Sequence, residues 1–225
     1  MTTKLRTASF QNDAVTAAKI AANAVGSSEL DLTANYAFTG TVSGTPETRV
    51  LIKTITASNV AFVEFIHGSS GVVFDNTYSR YEFTIDTAIP ATNQTYPDMK
   101  LSADGGSSYY GNSAYNLVSW RYYSNGSSTS TQVQYFNDFA GNADQQISSS
   151  AASGGVHGFV TVSNVGATAR TTFKSQYYAF GANSYYIHTE TVGAVESSSV
   201  VIDAVKFNFR SGNITSGTFK LFGVK

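Results

Sequence analysis

The chain has 225 residues, a net charge of −1, a charged fraction of 13% and no cysteine. That length fills one real core and leaves residues over for an accessory segment, while the lack of cysteine excludes disulfide frameworks, thiolate metal sites and cysteine catalysis. A net charge near zero without a basic block argues against a nucleic-acid partner. The opening MTTKLRTASFQND lacks the apolar stretch of a secretory leader. Apolar runs stay shorter than a bilayer span, so no membrane insertion is expected.

Residues 14–30 read AVTAAKIAANAVGSSEL, with Val15, Ile20, Val25 and Leu30 as the bulky apolar residues, one every five positions. A helix stripe recurs every three to four residues and a strand face every two, so neither period fits. Around a helix, Val15, Ile20 and Val25 would step by about 140° and never form a stripe. The spacing suits short extended pieces alternating with corners, each placing one apolar residue on an axis. One chain cannot bury so little apolar surface, whereas three chains wound together can. The segment also repeats with a ten-residue period, Ala14 to Ile20 matching Ala24 to Leu30. Residues 1–45 therefore read as an oligomeric stalk, ending in the turn-rich TGTVSGTP of 39–46.

Beyond Pro46 the text alternates. In 79–86, Tyr81, Phe83 and Ile85 share one face and charged or hydroxyl residues the other; Val201, Val205, Phe207 and Phe209 repeat the pattern, as do Phe219 and Leu221. Further strands are expected at 50–56, 59–67, 99–103, 114–123, 131–136, 158–163, 171–180 and 185–190. Turns separate them at Asp104-Gly105-Gly106, Ser124-Asn125-Gly126, Gly154-Gly155 and Ser211-Gly212-Asn213. About ten short strands broken in this way predict an all-β fold over 46–225, an antiparallel β-sandwich of jelly-roll-like form.

The decamer resembles the repeat near the N-terminus of bacteriophage tail-fibre proteins. Four later stretches, YSRYEF (78–83), LSADGGSSY (101–109), IDAVKF (202–207) and RSGNITSGTFKLFG (210–223), are similar to the β-sandwich modules of fibre proteins in phages of marine bacteria and cyanobacteria. The likeness runs through the chain in order, although 125–164 shares only composition. It implies a virion protein, usually trimeric, with an N-terminal anchor and a β-rich head. Many such fibres are far longer; the near-absence of a shaft here favours a short fibre, or one decorating another part of the particle.

Motifs of catalysis are missing from the text. His67, His157 and His188 share no metal-ligand spacing, and no nucleophile elbow, phosphate loop or dinucleotide glycine pattern occurs. Asp138 and Asp144 are the closest carboxylate pair in a loop, as a glycosidase or a calcium site would need, but turn-forming aspartates explain them more simply. No enzyme activity, metal or cofactor is expected.

Binding has better material in four tyrosine doublets, 109–110, 122–123, 177–178 and 185–186. In a strand each doublet puts one ring in and one out. Val118, Trp120 and Tyr122 share a parity that reads as the core side for Trp120, leaving Arg121 and Tyr123 on the other face; Tyr186 goes with His188 and Glu190. Tyr123, Tyr186, Arg121 and His188 are thus the candidate receptor contacts. Such rings either stack on sugars beside hydrogen-bonding groups or pack between subunits, and the pattern fits both.

The expectation is a homotrimeric short tail fibre on the phage virion. Residues 1–45 would attach it to other virion proteins of tail, baseplate or capsid and trimerise it through Val15, Ile20, Val25 and Leu30. Residues 46–225 would adhere to a host-surface glycan or receptor without catalysis. The alternative is a capsid decoration or head-fibre protein with a stabilising role. Replacing Ile20 and Val25 together by Asp is expected to abolish trimerisation in sedimentation analysis of the full chain while its β-sheet circular dichroism persists; a double variant that stays trimeric would remove the stalk.

Overall fold

The computed structural model describes residues 49–111, 114–124, 132–133, 147–195, 197 and 200–225, with only the backbone of 121, 132 and 133. The expectations placed on Val15, Ile20, Val25 and Leu30, on Asp138 and Asp144, and on the Arg121 side chain lie outside these residues.

Among the described residues eleven strands follow one another: β1 (Arg49–Val60), β2 (Phe62–Ile66), β3 (Arg80–Pro90), β4 (Pro97–Ser102), β5 (Tyr115–Tyr123), β6 (Gln132–Val133), β7 (Val156–Ser163), β8 (Thr172–Phe180), β9 (Tyr186–Val195), β10 (Ala204–Phe209) and β11 (Ile214–Val224). Every pairing is antiparallel. Eight strands form one sheet in the order β1-β11-β3-β7-β8-β9-β5-β6, and three form a second, β2-β10-β4. The described chain is thus all-β and sandwich-like, with no α-helix among the described residues and a short 3-10 turn over Ala151–Ser153.

The period of two decides which faces meet. On β3, Tyr81, Phe83 and Ile85 are buried while Arg80, Glu82, Thr84 and Asp86 are half-exposed. On β10, Val205, Phe207 and Phe209 are buried, with Lys206 and Asn208 turned outward. Val201 departs from its expected place: it lies before β10 and is exposed, and Ile202 is the residue that enters the core. The 59–67 stretch also divides, because Asn59 takes a left-handed φ of 52° and Ala61 breaks the ladder between β1 and β2.

Four phenylalanines join the sheets. Phe65 of β2 and Phe207 of β10 each meet Phe83 of β3 at 5.3 Å between ring centroids, and Phe207 meets Phe219 of β11 at 5.8 Å. The first two contacts are edge-on, the geometry the ring quadrupole favours. Around them pack Phe74, Met99, Leu101 and Leu221, all buried.

Strand β4 pairs only with β10, and its free edge is protected. The Leu101 N–H donates to the Tyr115 hydroxyl (3.0 Å) and the Leu101 carbonyl accepts from the Tyr110 N–H (2.9 Å). These bonds use edge groups that would otherwise invite another strand. Burial holds the Tyr115 phenol above the ordinary tyrosine range.

The turn after β4 closes on Asp104. Its carboxylate accepts from the Ser108 hydroxyl, the Ser108 N–H (2.8 Å) and the Ser102 hydroxyl (2.8 Å). These bonds, the Ser108 hydroxyl foremost, hold its pKa down at about 2. Gly105 and Gly106 follow at φ 69° and 79°, in the left-handed region where glycine carries no Cβ penalty.

Two outcomes are expected. Phe83→Ala should lower unfolding stability by about 3–5 kcal/mol in urea denaturation, whereas Tyr186→Ala, on the open face, should change it by less than about 1 kcal/mol; equal losses would deny the phenylalanine cluster its role. Because the Asp104 carboxyl is depressed on folding, its contribution is complete above the unfolded value near 3.8 and fades as pH falls through about 2. Thermal midpoints of wild type and Asp104→Asn should therefore differ at pH 6 and converge at pH 2; a gap unchanged with pH would overturn the assignment.

Candidate binding face

One face of the large sheet packs on the small one; the other is open and divides into two halves of different chemistry. Over β1, β11 and β3 it carries matched charges. Arg49 pairs with Glu82 (2.8 Å) and lies 3.4 Å above the Phe222 ring, Arg80 also reaches Glu82 (3.2 Å), and Lys220 reaches Asp86 (3.4 Å). Exposed pairs of this kind contribute little to stability.

Over β7, β8, β9 and β5 the same face is aromatic. Tyr122, Phe159, Tyr178 and Tyr186 are 50%, 40%, 56% and 67% exposed, and Val192 joins them. Register sets these side chains in transverse rows. In the first, Tyr122 of β5 is opposite His188 of β9, His188 opposite Tyr178 of β8, and Tyr178 opposite His157 of β7. The rings touch along it: Tyr122 and His188 lie 5.8 Å apart, and Tyr178 stacks on His157 at 5.4 Å with 10° between planes. In the second row, Trp120, Glu190, Gln176 and Phe159 are successive partners. Beyond the first row, Phe180 and Tyr186 meet edge-on at 5.1 Å.

The rows are held from beneath and from the side. β3 bulges between Ile85 and Ala88, with Thr87 at φ 54°. The bulge turns the Thr87 N–H toward His157 Nδ1 (3.4 Å), while the other ring nitrogen bonds the Gly154 carbonyl (2.9 Å). His157 is thereby fixed as a stacking partner for Tyr178. Gly158, between His157 and Phe159, has no room for a Cβ, which would meet the Gln176 carbonyl and Tyr177. Where the rows adjoin, the Gln176 side-chain amide donates to Glu190 Oε1 (2.7 Å) and contacts His188 Nε2 (3.2 Å); His188 Nε2 is itself 3.3 Å from Glu190 Oε1. The network that satisfies both contacts of Gln176 makes His188 Nε2 an acceptor. Glu190 Oε2 and the Tyr122, Tyr178 and Tyr186 hydroxyls carry no hydrogen bond among the described residues.

Of the expected contacts, Tyr186 and His188 are on this face. Tyr123 is not: the two faces of β5 are exchanged relative to expectation. Tyr115 and Ser119 are buried, so their parity faces inward, and Tyr123 lies half-buried against Tyr185 (5.4 Å, edge-on). Trp120, expected in the core, is half-buried on the open side with Tyr122. Both parities of YNLVSWRYY contain apolar residues, so alternation alone does not orient the strand. Arg121 is placed by its backbone, opposite Thr189.

Tyrosine doublets 122–123, 177–178 and 185–186 put one ring to each side, whereas Tyr109 and Tyr110 lie half-buried in the loop after β4. Phe159, Gln176 and Tyr178 were missed as contacts, yet β7 and β8 show them: Val156, Val160 and Val162 alternate with His157, Phe159 and Thr161, and Phe173, Tyr177 and Ala179 with Lys174, Gln176 and Tyr178.

A second cluster, outside the small sheet, satisfies itself. The Tyr109 hydroxyl donates to Glu64 (2.8 Å), and Lys206 Nζ sits 3.7 Å from the Tyr109 ring centroid. Burial, then neighbouring Lys100, lowers the Lys206 pKa. Among the described residues no group of three or more His, Asp or Glu side chains gathers to hold a metal. No protein-family model, curated protein or solved structure matches the chain.

Proposed function

We propose that this chain is a short fibre protein of a bacteriophage virion, acting as a homotrimer whose jelly-roll-like head, residues 46–225, adheres to glycan on the host surface. Residues 1–45 attach it to the particle and trimerise it. The work is binding, with no bond made or broken. The observation that carries this reading is the open face of β5, β9, β8 and β7, where exposed rings stand beside a hydrogen-bonded amide and carboxylate. Sugars present apolar C–H faces and hydroxyls together, and rings interleaved with donors and acceptors answer both. The rings of β7, β8 and β9 stand on strands paired on both sides, so they are pre-ordered and little freedom is lost on binding. Three heads on one stalk would convert weak sugar contacts into avidity.

The test is binding of the purified full chain to isolated bacterial envelope polysaccharide. Removing Tyr178 and Tyr186 together by alanine takes away two rings worth about 0.5–1.5 kcal/mol each, so affinity should fall about tenfold without loss of the fold. A double variant that binds like wild type would refute the face. One that binds normally but sediments as a smaller particle would make the rings a subunit interface.

A further inference from the structure

Resting on the reading of the aromatic face as a glycan site, we infer that its ligand is an uncharged polysaccharide lying across the strands, with Glu190 and Gln176 reading the hydroxyls of its central units. The second transverse row has apolar rings at its ends, Trp120 and Phe159, and a carboxylate and an amide between them. Three strand intervals separate the end rings, about 14 Å. One pyranose with its glycosidic oxygen advances by about one interval, so stacking on both end rings takes about four sugar units.

Charge selects the class. Over β7, β8, β9 and β5 the described side chains of this face bring one carboxylate, Glu190, and one ammonium, Lys174, which stands one row away opposite Val192 and Thr161, while the charges over β1, β11 and β3 are paired with one another. An acidic polysaccharide would press its carboxylates against Glu190 at the middle of the platform. A neutral one offers hydroxyl donors to Glu190 Oε2, which is free of hydrogen bonds among the described residues. Glu190 Oε1 is already engaged by Gln176 at 2.7 Å, so the carboxylate is aimed before any ligand arrives. The same carboxylate disfavours a second copy of the chain as occupant. Subunit interfaces are depleted of charge at their centres, and a flat protein surface closing over Glu190 would desolvate it without a cationic partner.

The experiment measures binding of the full chain to immobilised neutral hexose oligomers (glucose, galactose or mannose, one to six units) and to the corresponding uronic-acid oligomers of equal length. Neutral oligomers should bind, with affinity rising to about four units and then levelling. Glu190→Ala and Gln176→Ala should each weaken them about tenfold or more, and Lys174→Ala less than about twofold. Circular dichroism and melting of each variant establish that it is folded. Tighter binding of uronic-acid oligomers, lost in Lys174→Ala, would overturn the neutral class while leaving a glycan face standing. If neither series binds, and Trp120→Ala or Phe159→Ala changes the oligomeric state, both the ligand class and the glycan reading fall.

Discussion

The head is held by a contact between sheets of unequal width. Three strands cover part of eight, and the join is the cluster of Phe65 and Phe207 above Phe83 and Phe219. Those rings come from two pairs of consecutive strands, β2 with β3 and β10 with β11, that are far apart in sequence, and their meeting fixes which face of β3 and β11 points inward. Because a strand's two faces are related by a shift of one residue, that choice propagates through every paired neighbour. The open face over β7, β8, β9 and β5 is the far side of the same ladder, and its rings are presented outward because the phenylalanines are not.

Past the reach of the small sheet, the inner side of the large one changes character. Ser119, Ser175, Thr189 and Thr191 are buried there, with the Ser119 and Thr191 hydroxyls bonded to each other at 3.0 Å. Thr189 Oγ1 has no hydrogen-bond partner among the described residues. A buried hydroxyl needs a partner to offset its desolvation, so this strip is held less firmly than the phenylalanine cluster. Aromatic weight in β5 consequently sits on both sides of the strand, with Trp120 and Tyr122 outward and Tyr115 and Tyr123 inward.

That arrangement explains what the sequence does and does not disclose. Strands such as β3 and β10, with every large apolar residue at one parity, are legible, and so are the turns at Gly105 and Gly154. The outward placement of Tyr186 and His188 follows from the buried Ile187 between them. The orientation of β5 does not follow, because it rests on a serine entering a polar part of the core and a tryptophan leaving it. The transverse rows are beyond reach as well. They depend on register between β5, β9, β8 and β7, and on the bulge at Thr87 that anchors His157, neither of which is a local property of the chain.

Strand β11, the last described, lies inside the large sheet between β1, the first described, and β3. On a ribosome, which releases the chain from its N-terminus, β1 waits for β11, its partner among the described residues, while the hairpins β7-β8 and β8-β9 form from neighbouring text. The ringed surface is thus drafted early and the sheet is sealed last. A chain cut short before Ile214 leaves both β1 and β3 with open edges, which favours aggregation. The topology makes the arrival of β11 the step that joins β1 to β3 and closes this part of the sheet.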